Sequence, residues 1–250
     1  MFGIKMNNLG KKLNEIFRQE GQPWMMVSFL TALFLAGLIP ISESMAGEVW
    51  VANMKGANVQ IIDTGSNKVV KTIATGAGAH NVTFSANGKL AYIANLGTNS
   101  ITIIDAMSKE ILANVVTDTK AHDVAVSPDG KLAVACNVGA SNITFIDVAS
   151  KKAVHTMAAG KKAITAVFSP DGKTLYVVNA GDATISVVDV KTRKITETWT
   201  GAKGAMAIKP THDGKLFWVT APADNKLLLM NPKNGAVEAS IDVPGEPHGL

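Results

Sequence analysis

Ser127-Pro128-Asp129-Gly130-Lys131 runs into Leu132-Ala133-Val134-Ala135-Cys136-Asn137, and the fold is read from this stretch. Proline supplies a fixed φ and glycine tolerates a positive one, so Pro128-Asp129-Gly130 predicts a tight turn. The apolar run from Lys131 to Asn137 predicts a strand, and Asp123-Val124-Ala125-Val126 before the turn predicts its partner. Further on, Asn142-Ile143-Thr144-Phe145-Ile146-Asp147 alternates polar with apolar residues, and Ala153-Val154-His155-Thr156-Met157 follows. These read as a third and a fourth strand, supported by β-branched residues and by Gly, Asp and Asn between them.

The unit repeats. Asn87-Gly88-Lys89, Asp129-Gly130-Lys131, Asp171-Gly172-Lys173 and Asp213-Gly214-Lys215 are 42 residues apart at every step. Trp50-Val51-Ala52-Asn53, Tyr92-Ile93-Ala94-Asn95, Val134-Ala135-Cys136-Asn137, Tyr176-Val177-Val178-Asn179 and Trp218-Val219-Thr220-Ala221 keep the same period, as do Asp63, Asp105, Asp147, Asp189 and Asn231. A four-stranded unit of about 40–45 residues suits a blade of a β-propeller, whose small sheets bury their faces against one another around an axis. No segment after residue 46 keeps helical periodicity, so helix is expected only before residue 47. Residues 48–75 supply three strands and complete units begin near Ala79, Ala121, Ala163 and Ala205. Residues 245–250 open another unit. A five-bladed ring is one reading; a piece of a larger propeller is the expected one, because the sequence breaks off within a strand.

Tyr92-Ile93-Ala94-Asn95 and Tyr176-Val177-Val178-Asn179, each behind Ser-x-Asn/Asp-Gly-Lys, resemble the YVTN repeat of bacterial and archaeal surface and periplasmic propellers. The resemblance spans residues 48–250. The repeat is also similar, more weakly, to the propellers that carry or assemble haem d1 in the cytochrome nitrite reductase group. That second resemblance implies a haem held by histidines at the channel mouth.

Composition narrows the setting. The chain of 250 residues is 47% hydrophobic and 18% charged, which excludes disorder and coiled coil. A net charge of +4 without a basic cluster gives no footprint for nucleic acid. A single cysteine, Cys136, excludes an internal disulfide framework, and its mostly apolar strand position favours an inert buried thiol. Trp24 to Ile41 is an apolar run preceded by basic residues and followed by Ser44-Met45-Ala46, with small residues at the −3 and −1 positions. Residues 1–46 are therefore expected to be a secretory signal, or a membrane anchor if uncleaved, and residues 47–250 an exported, periplasmic propeller.

The chain has five histidines: His80, His122, His155, His212 and His248. His80, His122 and His248 share one phase of the repeat with Ile164 and Met206, at the start of each first strand, which lies innermost in a propeller. They are expected at one mouth of the channel, with His155 and His212 off phase and exposed. Two uses suit this ring. A copper or zinc ion would take His80, His122, Met206 and His248, and haem d1 would take the histidines. Duplication of one ancestral histidine gives the same phasing with no ligand. Asp123 is placed to orient the His122 ring. The recurring Asp and Asn residues read as turn and strand-end devices. There is no Cys-x-x-Cys-His, Gly-x-Ser-x-Gly, Gly-x-x-x-x-Gly-Lys-Ser/Thr or His-Glu-x-x-His. The leading expectation is a non-enzymatic scaffold that binds a protein or small ligand at the propeller mouth. The alternative is a haem-d1-binding or haem-d1-assembly protein.

Overall fold

The Asn/Asp-Gly turns take the conformation their residues favour. Gly88, Gly130, Gly172 and Gly214 adopt φ between 67 and 71°. In front of them the hydroxyls of Ser85, Ser127, Ser169 and Thr211 donate to the side chains of Asn87, Asp129, Asp171 and Asp213 at 2.6–2.8 Å. In the computed structural model, which describes residues 47–200 and 202–250, each such turn joins the first two strands of a blade. Residues 1–46, the expected export segment, lie outside the described residues.

The first sheet holds β1 (Glu48–Asn53), β2 (Asn58–Asp63) and β3 (Lys68–Ala74). The second holds β4 (Ala79–Phe84), β5 (Leu90–Asn95), β6 (Ser100–Asp105) and β7 (Ile111–Val116). The third holds β8 (Ala121–Val126), β9 (Leu132–Asn137), β10 (Asn142–Asp147) and β11 (Lys152–Ala158). The fourth holds β12 (Ala163–Phe168), β13 (Thr174–Asn179), β14 (Thr184–Asp189) and β15 (Lys194–Thr200). The fifth holds β16 (Ile208–Pro210), β17 (Phe217–Ala221), β18 (Lys226–Met230) and β19 (Val237–Asp242). Every sheet runs in chain order with antiparallel neighbours. β8 packs against both β4 and β12, so the first strands of successive blades line the axis. This is a β-propeller.

The core lies between blades. Ile61 of the first blade meets Ile93 of the second, and Tyr92 of the second meets Val124 of the third. Phe145 of the third meets Phe168 and Leu175 of the fourth, and Tyr176 of the fourth meets Phe217 of the fifth. Full burial of one such side chain contributes roughly 1.5–3 kcal/mol, which is why sheets of this size are stable only in a stack. Cys136 is fully buried in the third interface, and burial pushes its thiol well above the ordinary range.

The recurring polar residues have separate tasks. Asp63, Asp105, Asp147 and Asp189 accept from the backbone of Ser66, Ser108, Ser150 and Thr192 at 2.6–2.8 Å. The hydroxyls and backbone N–H groups of these residues hold the four carboxyls below the usual range. The strand-end asparagines are not turn residues. Asn95, Asn137 and Asn179 are fully buried within their strands. Their amides donate across the sheet to Thr102, Thr144 and Ser186 at 2.8–2.9 Å.

Two features depart from a uniform repeat. Among the described residues one 3-10 turn, Pro222–Asp224, joins β17 to β18, with proline opening it and left-handed Asn225 closing it. It replaces the expectation that helix is confined to residues before 47. β16 is only three residues long and begins at Ile208 rather than Ala205. Beyond β19 the backbone of Gly245 and Glu246 donates to Asn225 Oδ1 at 3.3 and 3.0 Å, and β1 has one partner strand, β2.

Candidate functional site

The inner strands are entered through a left-handed residue. Gly78, Lys120 and Lys162 have φ of 72, 60 and 53°, and the two lysines accept a conformation that costs an ordinary residue about 1–2 kcal/mol. Hydrogen bonds hold them there. Lys120 N–H donates to Asn99 Oδ1 at 2.8 Å, and Lys162 N–H donates to Ser141 Oγ at 3.1 Å.

A β-bulge follows in each case. Ala79 pairs with Asn95 and Asn81 with Ala94, which leaves His80 as the extra residue. Ala121 pairs with Asn137 and Asp123 with Cys136, which leaves His122. Ala163 and Thr165 leave Ile164 in the same way. A bulge re-aims the side chain it carries, and here it acts on the residues singled out by the phase of the repeat.

The His80 and His122 rings come together, with centroids 4.0 Å apart and planes inclined by 42°. His122 Nδ1 lies 3.0 Å from the carbonyl oxygen of Ile164 in the next blade. A carbonyl only accepts, so Nδ1 carries the proton and the neutral ring keeps its lone pair on Nε2. Burial pushes the His122 pKa down, and the neighbouring His80 and His248 act in the same direction. Asp123 and the Ile164 carbonyl oppose this without reversing it. His80 Nδ1 is buried without a hydrogen-bond partner. The pair is thus a Lewis base next to an unused polar nitrogen.

The other candidates are placed differently. His248 is exposed, its carbonyl accepts from Thr220 Oγ1 at 3.4 Å, and its charge reaches His122. Met206 packs against the apolar cluster between the fourth and fifth blades. Among the described residues no group of three or more His, Cys, Asp or Glu side chains is arranged to hold a metal ion. His80 and His122 are brought together, whereas Met206 packs into an apolar cluster and His248 is exposed, so the arrangement gives no support to a copper or zinc centre at these four residues. Asp123 does not orient His122 through a hydrogen bond: its carboxylate is engaged by Asn81 and Thr165, at 2.8 and 2.5 Å. His155 is half-buried rather than exposed, 6.1 Å from the Phe145 ring, while His212 is exposed. The bulges were not legible in the sequence, and their only signal there was the shared phase.

The low pKa of His122 has a testable sign. Its proton is bound more readily by the unfolded chain, so its contribution to stability is complete above the ordinary histidine value of about 6.5 and is lost as pH falls below it. The wild-type melting temperature is expected to fall more between about pH 7.5 and 5 than that of His122→Gln. The aspartates with lowered pKa act only in more acid solution. Parallel melting curves for the two proteins across this interval would rule out a depressed His122.

Residues 48–248 match the family model described as the Cytochrome D1 heme domain. Hydrazine synthase of Kuenenia stuttgartiensis resembles the chain with a TM-score of 0.72 and 21% identity, over 81% of this chain and 66% of that one. Dihydro-heme d1 dehydrogenase NirN, solved in complex with DHE, resembles it with a TM-score of 0.67 and 18% identity, over 86% of this chain and 48% of that one. The chain thus spans about two thirds of the first and half of the second. No curated protein matches it.

Proposed function

The chain belongs to the Cytochrome D1 heme domain family, and from that premise we propose that it is an exported propeller that binds haem d1 at the channel mouth bearing His80 and His122. The observation that carries this reading is the aimed histidine pair. His122 is held as the Nδ1–H tautomer by Ile164, and its Nε2 has no partner among the described residues. That donor set fits a haem. When bound, haem d1 supplies an iron that takes a nitrogen lone pair and changes oxidation state.

The chain's own residues do the rest. His122 presents Nε2, and the His80 ring, 42 residues earlier on the adjoining blade, lies against the His122 ring. His248 is exposed, and its carbonyl is held by Thr220. Lys120, Lys161 and Lys162 line a notch beside the left-handed links that lead into β8 and β12, where haem carboxylates would find cations. The likeness to a dihydro-heme d1 dehydrogenase supports a ligand of this type, and the family match favours it over a scaffold without a cofactor. Trp24 to Ile41 and Ser44-Met45-Ala46 support export to the periplasm.

Titration of haem d1 into the purified chain tests the reading by absorption spectroscopy. A saturable band shift is expected in wild type. In His122→Ala the affinity is expected to fall by at least about tenfold, about 1.4 kcal/mol, with loss of the shift. A wild-type chain that leaves the haem spectrum unchanged sinks the proposal, and so does a His122→Ala protein that binds as wild type does.

A further inference from the structure

We propose that Asp123 is the positioning residue of the histidine pair: its carboxylate ties three consecutive inner strands together directly after their bulges and thereby fixes where His80 and His122 point. The choice of haem as one probe rests on the reading above, but the tie itself stands on the protein's geometry.

The carboxylate is used symmetrically. Asn81 Nδ2 donates to Oδ1 at 2.8 Å, and Thr165 Oγ1 donates to Oδ2 at 2.5 Å. Each partner is 42 residues away, at the same phase in the blade on either side. Asp123 is 7% exposed, and it forms no ion pair among the described residues. A carboxylate so buried needs these donors, and removing either leaves a desolvated oxygen short of a partner.

The tie acts where the bulges need holding. Asn81, Asp123 and Thr165 each directly follow a bulged residue: His80, His122 or Ile164. His122 and Asp123 are consecutive, yet both reach the fourth blade, one through Nδ1 to the Ile164 carbonyl and the other through Oδ2 to Thr165. A regular strand sends consecutive side chains to opposite faces. The bulge lets both turn the same way, and the two bonds to adjacent residues of β12 hold that arrangement. Around them the inner strands are lined by Ala79, Ala121 and Ala163, all fully buried and too small to lock an orientation by packing.

The fifth blade lacks the tie. Its residue at this phase is Ala207, which has no polar side chain, and the position before it is Met206. There β16 starts only at Ile208, while Met206 N–H and the Ala207 carbonyl both still face Thr220, at 3.4 and 3.1 Å. Where the tie is missing, the inner strand is three residues long instead of six.

Three variants separate positioning from bulk stability. Asp123→Asn keeps both ties, with its oxygen accepting from Asn81 and its amide donating to Thr165. Asp123→Ala cuts both. Thr165→Val cuts one and keeps the shape. The primary readout is the tautomer of His122 in the haem-free chain, measured by side-chain 15N NMR. Wild type and Asp123→Asn are expected to hold the Nδ1–H form. Thr165→Val and Asp123→Ala are expected to show the Nε2–H form as well, more so in the alanine variant. Haem d1 titration is the second readout, with Asp123→Asn within about threefold of wild type and Asp123→Ala at least about tenfold weaker, about 1.4 kcal/mol.

A wild-type tautomer pattern in Asp123→Ala overturns the proposal whatever the haem does. If that variant does not fold, an unchanged pattern in Thr165→Val overturns it. An Asp123→Asn protein that behaves like the alanine variant overturns it too, since charge rather than the tie would then be responsible. Tautomer mixing in Asp123→Ala together with a wild-type chain that ignores haem d1 upholds the tie and rejects the haem reading.

Discussion

Phe145→Ala is expected to lower stability by about 3–5 kcal/mol and the melting temperature by roughly 6–20 °C. Phe145 is fully buried in β10. Its ring belongs to the cluster that joins the third blade to the fourth, together with Val134, Cys136, Phe168 and Leu175. His155 lies 6.1 Å away on one side, and the Arg193 guanidinium lies 5.6 Å from its centroid. The truncation removes a whole ring at a seam between two rigid sheets. Neither sheet can close the gap without shifting its own hydrogen-bonded strands, so the cavity term adds fully to the transfer term. Met107→Ala is the matched control, because its side chain is 89% exposed and a change there is worth about 0.5 kcal/mol or less. Thermal unfolding of the two variants is the measurement. A drop below about 3 °C for Phe145→Ala, or equal drops for both, would contradict a core built between blades.

Gly160→Ala is expected to cost about 2–6 kcal/mol, more than Gly130→Ala, although Gly130 has the unusual backbone. Gly130 has φ of 71°, but an added Cβ meets nothing within 4 Å. Its penalty is the left-handed conformation, about 1–2 kcal/mol. Gly160 lies in the link between β11 and β12. A Cβ there would sit 2.5 Å from Asn179 Cγ and 2.6 Å from its Nδ2. Asn179 cannot retreat freely. It is fully buried, donates to Thr184 at 3.1 Å and Ser186 at 2.8 Å, and accepts from Gly160 N–H at 3.1 Å. Overpacking costs about 1–3 kcal/mol, and each buried group left unpaired about 1–3 kcal/mol more. Denaturant midpoints of the two variants test the order. A Gly130→Ala protein less stable than Gly160→Ala would show that the asparagine ladder yields easily.

Much of the fold was legible in the residues. The period of 42 set the number and order of strands, and β10 spans Asn142–Asp147 as the alternation of polar and apolar residues predicts. The glycine turns and the aspartate caps were legible for the same reason: each is decided within a few residues by backbone sterics and by short-range donors. The phase of the repeat also singled out His80 and His122 as equivalent residues. It could not say that they touch while Met206 turns into an apolar cluster. Nor could it show that Asn95, Asn137 and Asn179 are buried cross-strand donors, or that Asp123 bonds to its neighbours at 81 and 165. Equal phase fixes where a residue falls along its strand, but one unpaired residue at a bulge changes the direction in which every adjacent side chain leaves the backbone. That direction, and the partners it selects 42 residues away, depend on how whole blades pack against one another, so only the tertiary structure decided the histidine pair, its tautomer and its tie.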